Sequence, residues 1–341
     1  MMQIRIAVNG RFAGRRITGV DRYASEILRC LGGRVRIIKP YRSLTGLRGH
    51  LWEQLILPHW ISRDELLWSP ANSGPVIASN QVVTVHDLTP LEHPEWFVPA
   101  YSFLYRLLFP ALVRQVKCVI TPSEFVRQKV MQRFSLSKDR VVAIREGVNM
   151  ERFRWTDSLS VRARYQLPQK YILFIGSLQP RKNLSALIDA WNLVKDDSPK
   201  TALVVVGSAG RVFRRIELPN KTERVVFLGY VADDELPALY SGASVYVLPS
   251  IEEGFGLTML EAMACGTPVI ASNGGALPEV AGDAALLVNP LSVSQIAAAL
   301  NKVLLDEGLR LEFRAKGLER ASRFTWGKSA KETWDVFARY A

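Results

Sequence analysis

The chain has 341 residues, 48% of them hydrophobic, and a formal net charge of +12. That length supports two domains with separate cores, and three scattered cysteines (Cys30, Cys118, Cys265) without Cys-x-x-Cys spacing exclude a disulfide scaffold or zinc ribbon. No apolar run approaches the roughly 18 residues of a membrane span, and the opening MMQIRIAVNG has no apolar signal core, which predicts a cytosolic protein.

In chain order, short β-branched runs alternate with longer amphipathic ones. Strands are predicted at 4–8, 35–38, 66–68, 82–85, 118–121 and 141–144. The pattern restarts at 171–175, 202–206, 225–227, 245–248 and 268–272, with helical stretches such as SALIDAWNLVKDD and SQIAAALNKVLLDEG between. Such alternation implies α/β architecture, with parallel sheets covered on both faces. Two doubly wound domains are therefore expected, at 1–150 and 171–324, joined by a charged linker at 151–170. The last segment, 325–341, has apolar residues at helical spacing. Charge is uneven. Residues 1–150 hold 21 Lys+Arg against 11 Asp+Glu, while residues 151–341 hold 23 against 21. A basic first half implies an anionic partner, unless it is simply a solvated surface.

Ligands of open parallel sheets sit beyond the carboxyl ends of the strands, so the strand-end loops matter most. In YILFIGSLQPRKNLSALIDAW, a buried strand ends just before Arg181 and Lys182. Two cations at a strand-to-helix loop suit a diphosphate, and equally a solvated loop. In YVLPSIEEGFGLTMLEAMACG, a strand leads to Gly254-Phe255-Gly256 and a helix starting at Leu257 and Thr258. Glycines allow close backbone approach, and free amides of a first helical turn favour an anion. Glu253 and Glu261 bracket that helix start. A carboxylate beside a diphosphate is repelled by it, but it can accept hydrogen bonds from vicinal hydroxyls, as in dinucleotide folds. Two such carboxylates suggest a ribose and a sugar on opposite sides of one diphosphate. The plainer alternatives are a dipole partner for Glu253 and a solvent-facing helix residue for Glu261.

Together, EEGFGLTMLEAMACGTPVIAS, GSLQPRKNL, GYVADDELPALYSGA and LPEVAGDAALLVNP resemble the group-1 (family 4) retaining glycosyltransferases that use nucleotide-sugars. RITGVDRYASEIL, VVTVHDL and ITPSEFVRQKV extend the resemblance into the first half. It implies the GT-B fold, two Rossmann-like domains facing a central cleft, with the final helix returning to the first domain. It also implies that Arg181 and Lys182 meet the donor diphosphate, Glu261 the ribose and Glu253 the donor sugar. Backbone groups of Gly254, Phe255, Gly256, Leu257 and Thr258 would line sugar and phosphates. Gly19 would belong to a loop covering the phosphates, and His86 would position the donor sugar. Three departures stand out: Gln179 in place of a common acid, a single Gly19 preceded by Arg15 and Arg16, and Asn289 in place of a frequent Asp. No Asp-x-Asp occurs and the other histidines lack ligand spacing, so neither a metal nor another cofactor is expected.

Similarity to mannosyltransferases that extend lipid-linked oligosaccharides points to GDP-mannose as donor, with a UDP-hexose as alternative. The acceptor is expected to be a glycan or a polyprenyl-diphosphate-linked sugar in surface polysaccharide assembly. The stretches 96–118 and 47–63 mix aromatic, aliphatic and basic residues, which suits either peripheral docking on the inner face of an anionic membrane or ordinary core helices. Other readings have less support. A nucleic-acid-binding protein would show aromatic-basic or zinc motifs. A dehydrogenase would carry G-x-G-x-x-G after the first strand, where only Gly10 and Gly14 occur. A same-fold epimerase or phosphorylase is the remaining rival, and no lysine site for pyridoxal is evident.

Overall fold

A computed structural model describes all residues except 1–3, 15–17, 45, 211, 215 and 220–222. The chain forms two units. Unit 1 comprises Met1–Pro94, Pro99–Gly147 and Thr325–Ala341; unit 2 comprises Glu95–Val98 and Val148–Phe324.

Unit 1 is built on a six-stranded sheet of β1 (Ile6–Asn9), β2 (Arg36–Ile38), β3 (Leu66–Ser69), β4 (Gln81–Thr84), β5 (Cys118–Thr121) and β6 (Val141–Ala143). Its order is β2-β1-β3-β4-β5-β6 and every pairing is parallel. The helix Trp326–Tyr340 completes this unit, burying Trp326, Ala330, Thr333, Val336 and Phe337 at helical spacing. Phe337 lies 5.5 Å from Trp68 and Trp326 lies 6.1 Å from Tyr23, ring centre to ring centre.

Unit 2 has a second six-stranded parallel sheet: β7 (Lys170–Ile175), β8 (Thr201–Val206), β9 (Val225–Gly229), β10 (Val245–Leu248), β11 (Val269–Ser272) and β12 (Leu286–Val288). The order is β12-β11-β10-β7-β8-β9. Successive strand residues point to opposite faces. Thus Tyr246 and Leu248 join one apolar layer while Val245 and Val247 join the other. Because helices cover both layers, β8 and β10 read as unbroken apolar runs rather than alternating ones.

Three features depart from the expected elements. Residues 151–170 lie within unit 2, where Phe153, Val161 and Leu167 are buried in its core; their many charges occupy the intervening outward positions. The chain passes between units at 147/148 and again at 324/325. Strand β12 is absent from the expected strands, since three residues beside an alanine-rich stretch carry too little periodicity. Finally, Glu95–Val98 joins unit 2 through backbone bonds from Val98 N–H to Val212 O and from Arg214 N–H to Trp96 O, both 2.9 Å. Among the described residues, no helix is long and apolar enough to cross a membrane.

Candidate active site

In unit 2 the strand order reverses between β7 and β10, so their carboxyl ends diverge and open a crevice. The loops after these two strands carry Arg181-Lys182 and the stretch Ser250–Thr258. They are tied together by Ile251 N–H to Arg181 O at 2.9 Å. Asn183, at φ +57°, donates through Nδ2 to Pro249 O (3.1 Å) and Pro290 O (2.7 Å).

Within that crevice Arg181, Lys182 and Glu253 form one cluster. Arg181 Nη1 donates to Glu253 Oε2 at 2.9 Å and Lys182 Nζ to Oε1 at 2.5 Å. Ser250 Oγ donates to the same Oε1 at 2.7 Å. Burial pushes the Glu253 carboxyl up, but the two cations and these hydrogen bonds outweigh it and hold it at about 2. Glu253 is therefore a carboxylate, and it fixes both cations at the mouth of the loop. Its backbone is pinned as well, with Ala276 N–H donating to Glu253 O at 2.9 Å. Gly275, at φ +64°, passes so close that a Cβ there would meet Glu253 O at 2.4 Å.

The helix Leu257–Ala264 starts directly after this cluster, with Gly256 as its N-cap at φ +97°. A Cβ on Gly256 would lie 2.4 Å from Leu277 Cδ2, so both conformation and space require glycine. Phe255 turns inward against Phe324, 5.9 Å between ring centres, so its backbone rather than its ring faces the loop. The amides of Leu257 and Thr258 have no acceptor further back in the helix, whereas Met259 N–H turns back to Gly256 O at 2.9 Å. Thr258 Oγ1 accepts from the Tyr246 hydroxyl at 2.8 Å. Glu261, one turn further on, is 2% exposed, which rules out a solvent-facing role. Its Oε2 accepts from the Tyr240 hydroxyl at 3.0 Å. Burial, reinforced by Glu261, raises the Tyr240 hydroxyl well above its usual range and keeps it a donor.

Unit 1 presents a separate cluster. His86 follows β4 and is buried. Its Nδ1 lies 3.1 Å from Glu146 Oε1 and its Nε2 lies 2.9 Å from Pro70 O. Burial disfavours its charge, but Glu146, the Pro70 carbonyl and Asp87 overcome that and raise its pKa. An acceptor at each ring nitrogen favours the doubly protonated ring, against the burial that disfavours it. Its backbone N–H donates to Asn72 Oδ1 at 2.6 Å, and Tyr23 packs edge-on 4.7 Å from the ring. Gly19 opens the helix Gly19–Leu31 behind a Thr18–Asp21 capping box. It is exposed, and a Cβ there would meet nothing within 4 Å. The fold does not require glycine at this position. Arg15 and Arg16 lie outside the described residues.

The remaining departures have structural roles. Gln179 is buried and donates to Ser177 Oγ at 2.7 Å, and Asn289 Oδ1 accepts from Leu291 N–H at 3.0 Å in a turn. Glu146, Asn72, Ser250 and Tyr240 escape sequence reading. Glu146 alone leaves a signal, as an acid in the loop just beyond β6.

Residues 160–320 match the family model for glycosyl transferases group 1, and residues 78–152 that for glycosyltransferase family 4. The chain is 31% identical over 311 residues to O-antigen chain mannosyltransferase B of Escherichia coli, covering 89% of this chain and 78% of that protein. It is also 31% identical over 272 residues to the serotype-specific mannosyltransferase WbdA of the same species; that match covers 76% of this chain but spans only 33% of the relative's length. Among solved structures, HepE of Anabaena in complex with UDP-glucose has a TM-score of 0.77 at 18% identity, covering 98% of this chain and all of that one. The chain belongs to the group-1 glycosyltransferases. Its two Rossmann-like units are those of the GT-B fold.

Proposed function

We propose that the protein is a retaining hexosyltransferase that moves mannose from GDP-mannose to a growing, lipid-linked glycan in surface polysaccharide assembly. The observation that carries this reading is the Arg181–Lys182–Glu253 cluster at the β7/β10 crevice, directly before a glycine-capped helix N-terminus. Two cations and the helix amides suit a diphosphate leaving group, and charge-assisted bonds in a desolvated loop stabilise it most as the glycosidic bond breaks. Glu253 keeps the cations in place and offers a carboxylate to hydroxyls of the donor sugar. Glu261, held by Tyr240, accepts from the ribose. The acceptor hydroxyl oxygen bonds to the anomeric carbon, the anomeric carbon–phosphate oxygen bond breaks, and the acceptor's proton passes to the departing diphosphate. No metal is required, since Arg181, Lys182 and the helix meet the developing charge. His86, with an acceptor at each ring nitrogen, serves to hold the loop that follows β4 rather than as a general base. The names of the relatives support the mannosyl assignment.

A UDP-hexose donor is the second reading, favoured by the UDP-glucose bound in the structural neighbour. A thermal-shift panel of GDP, UDP, ADP and their hexoses decides between them. GDP-mannose should give the largest rise in melting temperature. A larger rise with a UDP-hexose would transfer the assignment to that donor, and no rise with any nucleotide would overturn the donor site itself. We place the enzyme in the cytoplasm, peripheral on the inner face of the membrane through unit 1.

A further inference from the structure

Glu253 has a third partner that the proposed function does not use. Ser250 Oγ donates to its Oε1 at 2.7 Å, beside Lys182. Ser250 is buried just beyond the end of β10. Its carbonyl accepts from Ser272 Oγ at 2.5 Å, and Ser272, also buried, closes the neighbouring strand β11. Ser272 Oγ accepts in turn from Gly274 N–H at 3.2 Å. Gly274 leaves no slack there, because a Cβ on it would meet Ile251 O at 2.2 Å. Ser250 is thus fixed by two paired strands. Arg181 and Lys182 reach the same carboxylate differently, as long side chains from the loop after β7, and are 14% and 11% exposed.

The two kinds of partner respond differently to a diphosphate. A diphosphate and the Glu253 carboxylate are like charges that compete for the same two cations. Long side chains can turn toward phosphate oxygens; a strand-anchored serine cannot follow them. A buried carboxylate that loses its donors is costly, and Ser250 is the donor that stays. Its hydroxyl holds Oε1 and leaves Oε2 for hydroxyls of the sugar.

We infer that Glu253 is a placeholder, holding Arg181 and Lys182 until the donor diphosphate takes them, and that Ser250, anchored by Ser272, is the positioning residue that keeps the carboxylate in place through the exchange. This rests on reading the β7/β10 crevice as the donor site. GDP and UDP, titrated calorimetrically into the full chain, are the probes. Glu253→Gln keeps the shape of the side chain and removes the competing charge. It should therefore tighten whichever nucleotide the wild type binds, at least threefold, even though it destabilises the fold. Ser250→Ala should weaken that nucleotide several-fold on its own and leave it unchanged when combined with Glu253→Gln, because a neutral amide does not need the serine. A merely structural serine would weaken binding equally in both backgrounds. Should Ser250→Ala fail to fold, Ser272→Ala keeps the Ser250 hydroxyl, removes its anchor, and should show the same dependence on background at smaller size. Unchanged or weaker binding in Glu253→Gln would overturn the placeholder, and equal losses in the two backgrounds would overturn the role of Ser250. Binding of neither nucleotide by the folded wild type would overturn the donor site itself, and the placeholder with it.

Discussion

Glu253 carries a charge that its burial opposes, and the sign of the balance has a measurable consequence. Its folded value of about 2 lies below the ordinary 4.5. A depression of that size corresponds to about 3 kcal/mol. A depressed carboxylate stabilises the fold fully above pH 4.5 and loses that contribution as pH falls toward 2. Glu253→Gln should therefore melt well below the wild type at pH 7, and the gap should close between pH 4.5 and 2 in differential scanning calorimetry. A gap that persists unchanged at pH 2 would mean the carboxylate is not held by Arg181 and Lys182. The same variant should lower turnover about a hundredfold, by loosening the groups that meet the leaving charge. Glu261 makes a different prediction. Glu261→Ala should weaken nucleotide binding, and Tyr240→Phe should weaken it less, by the several-fold expected when one hydrogen bond to a charged group is lost. Both variants should narrow the preference for ribo- over 2′-deoxyribonucleotides. An unchanged preference would remove the ribose from Glu261. Each of these charged residues is visible in the sequence as a strand-end or helix-start residue. That Glu253 pairs with cations 71 and 72 residues away is not, because only the parallel order of β7 and β10 brings those loops together.

Gly256 and Gly19 look alike in sequence, each at the start of a helix, yet the elements treat them differently. At Gly256 the positive φ opposes any side chain, and so does the Leu277 methyl, 2.4 Å from where a Cβ would lie. Gly256→Ala should cost about 2 kcal/mol or more and lower donor affinity as the helix start shifts. At Gly19 there is open space, and alanine should be neutral or slightly stabilising, by about 0.5 kcal/mol. If the glycine serves a ligand rather than the fold, Gly19→Ala should nonetheless raise the donor KM at unchanged melting temperature. Equal kinetics would strip Gly19 of that role. The element pattern itself is largely legible, since fully buried parallel strands announce themselves as β-branched runs. It fails where that signal is thin. The three residues of β12 have no period to detect, and 151–170 reads as a linker because its buried anchors, Phe153, Val161 and Leu167, are spaced among charges.

For the molecule as a whole, periodicity in the sequence foretells two doubly wound units and a final helix, because it survives without knowledge of contacts; that this helix belongs to the first unit comes from the family resemblance alone. What it leaves open is which apolar residues of the basic half are core. Tyr105, Phe109 and Leu112 are buried, whereas Phe103, Leu107, Leu47, Leu51, Leu55 and Trp60 are exposed. Helical spacing explains the split: Leu47, Leu51 and Leu55 recur every fourth residue along one stripe, and Phe103 and Leu107 do so on the other helix. Exposed leucines on a unit whose first 150 residues carry a surplus of ten positive charges favour an anionic bilayer over a neutral one. Each Lys or Arg near such a surface contributes about 1 kcal/mol. Salt screens this term over roughly 8 Å at physiological ionic strength, whereas apolar insertion is insensitive to it. In liposome flotation the protein should therefore be enriched on phosphatidylglycerol vesicles over phosphatidylcholine vesicles, and raising the salt should weaken the binding without abolishing it. Leu51→Ser with Phe103→Ser should leave the salt-sensitive part and remove the rest. If the double variant floats as the wild type does, attraction to the membrane is purely electrostatic and the leucine stripe serves another partner. If neither floats on anionic vesicles, unit 1 does not dock on the membrane through this face.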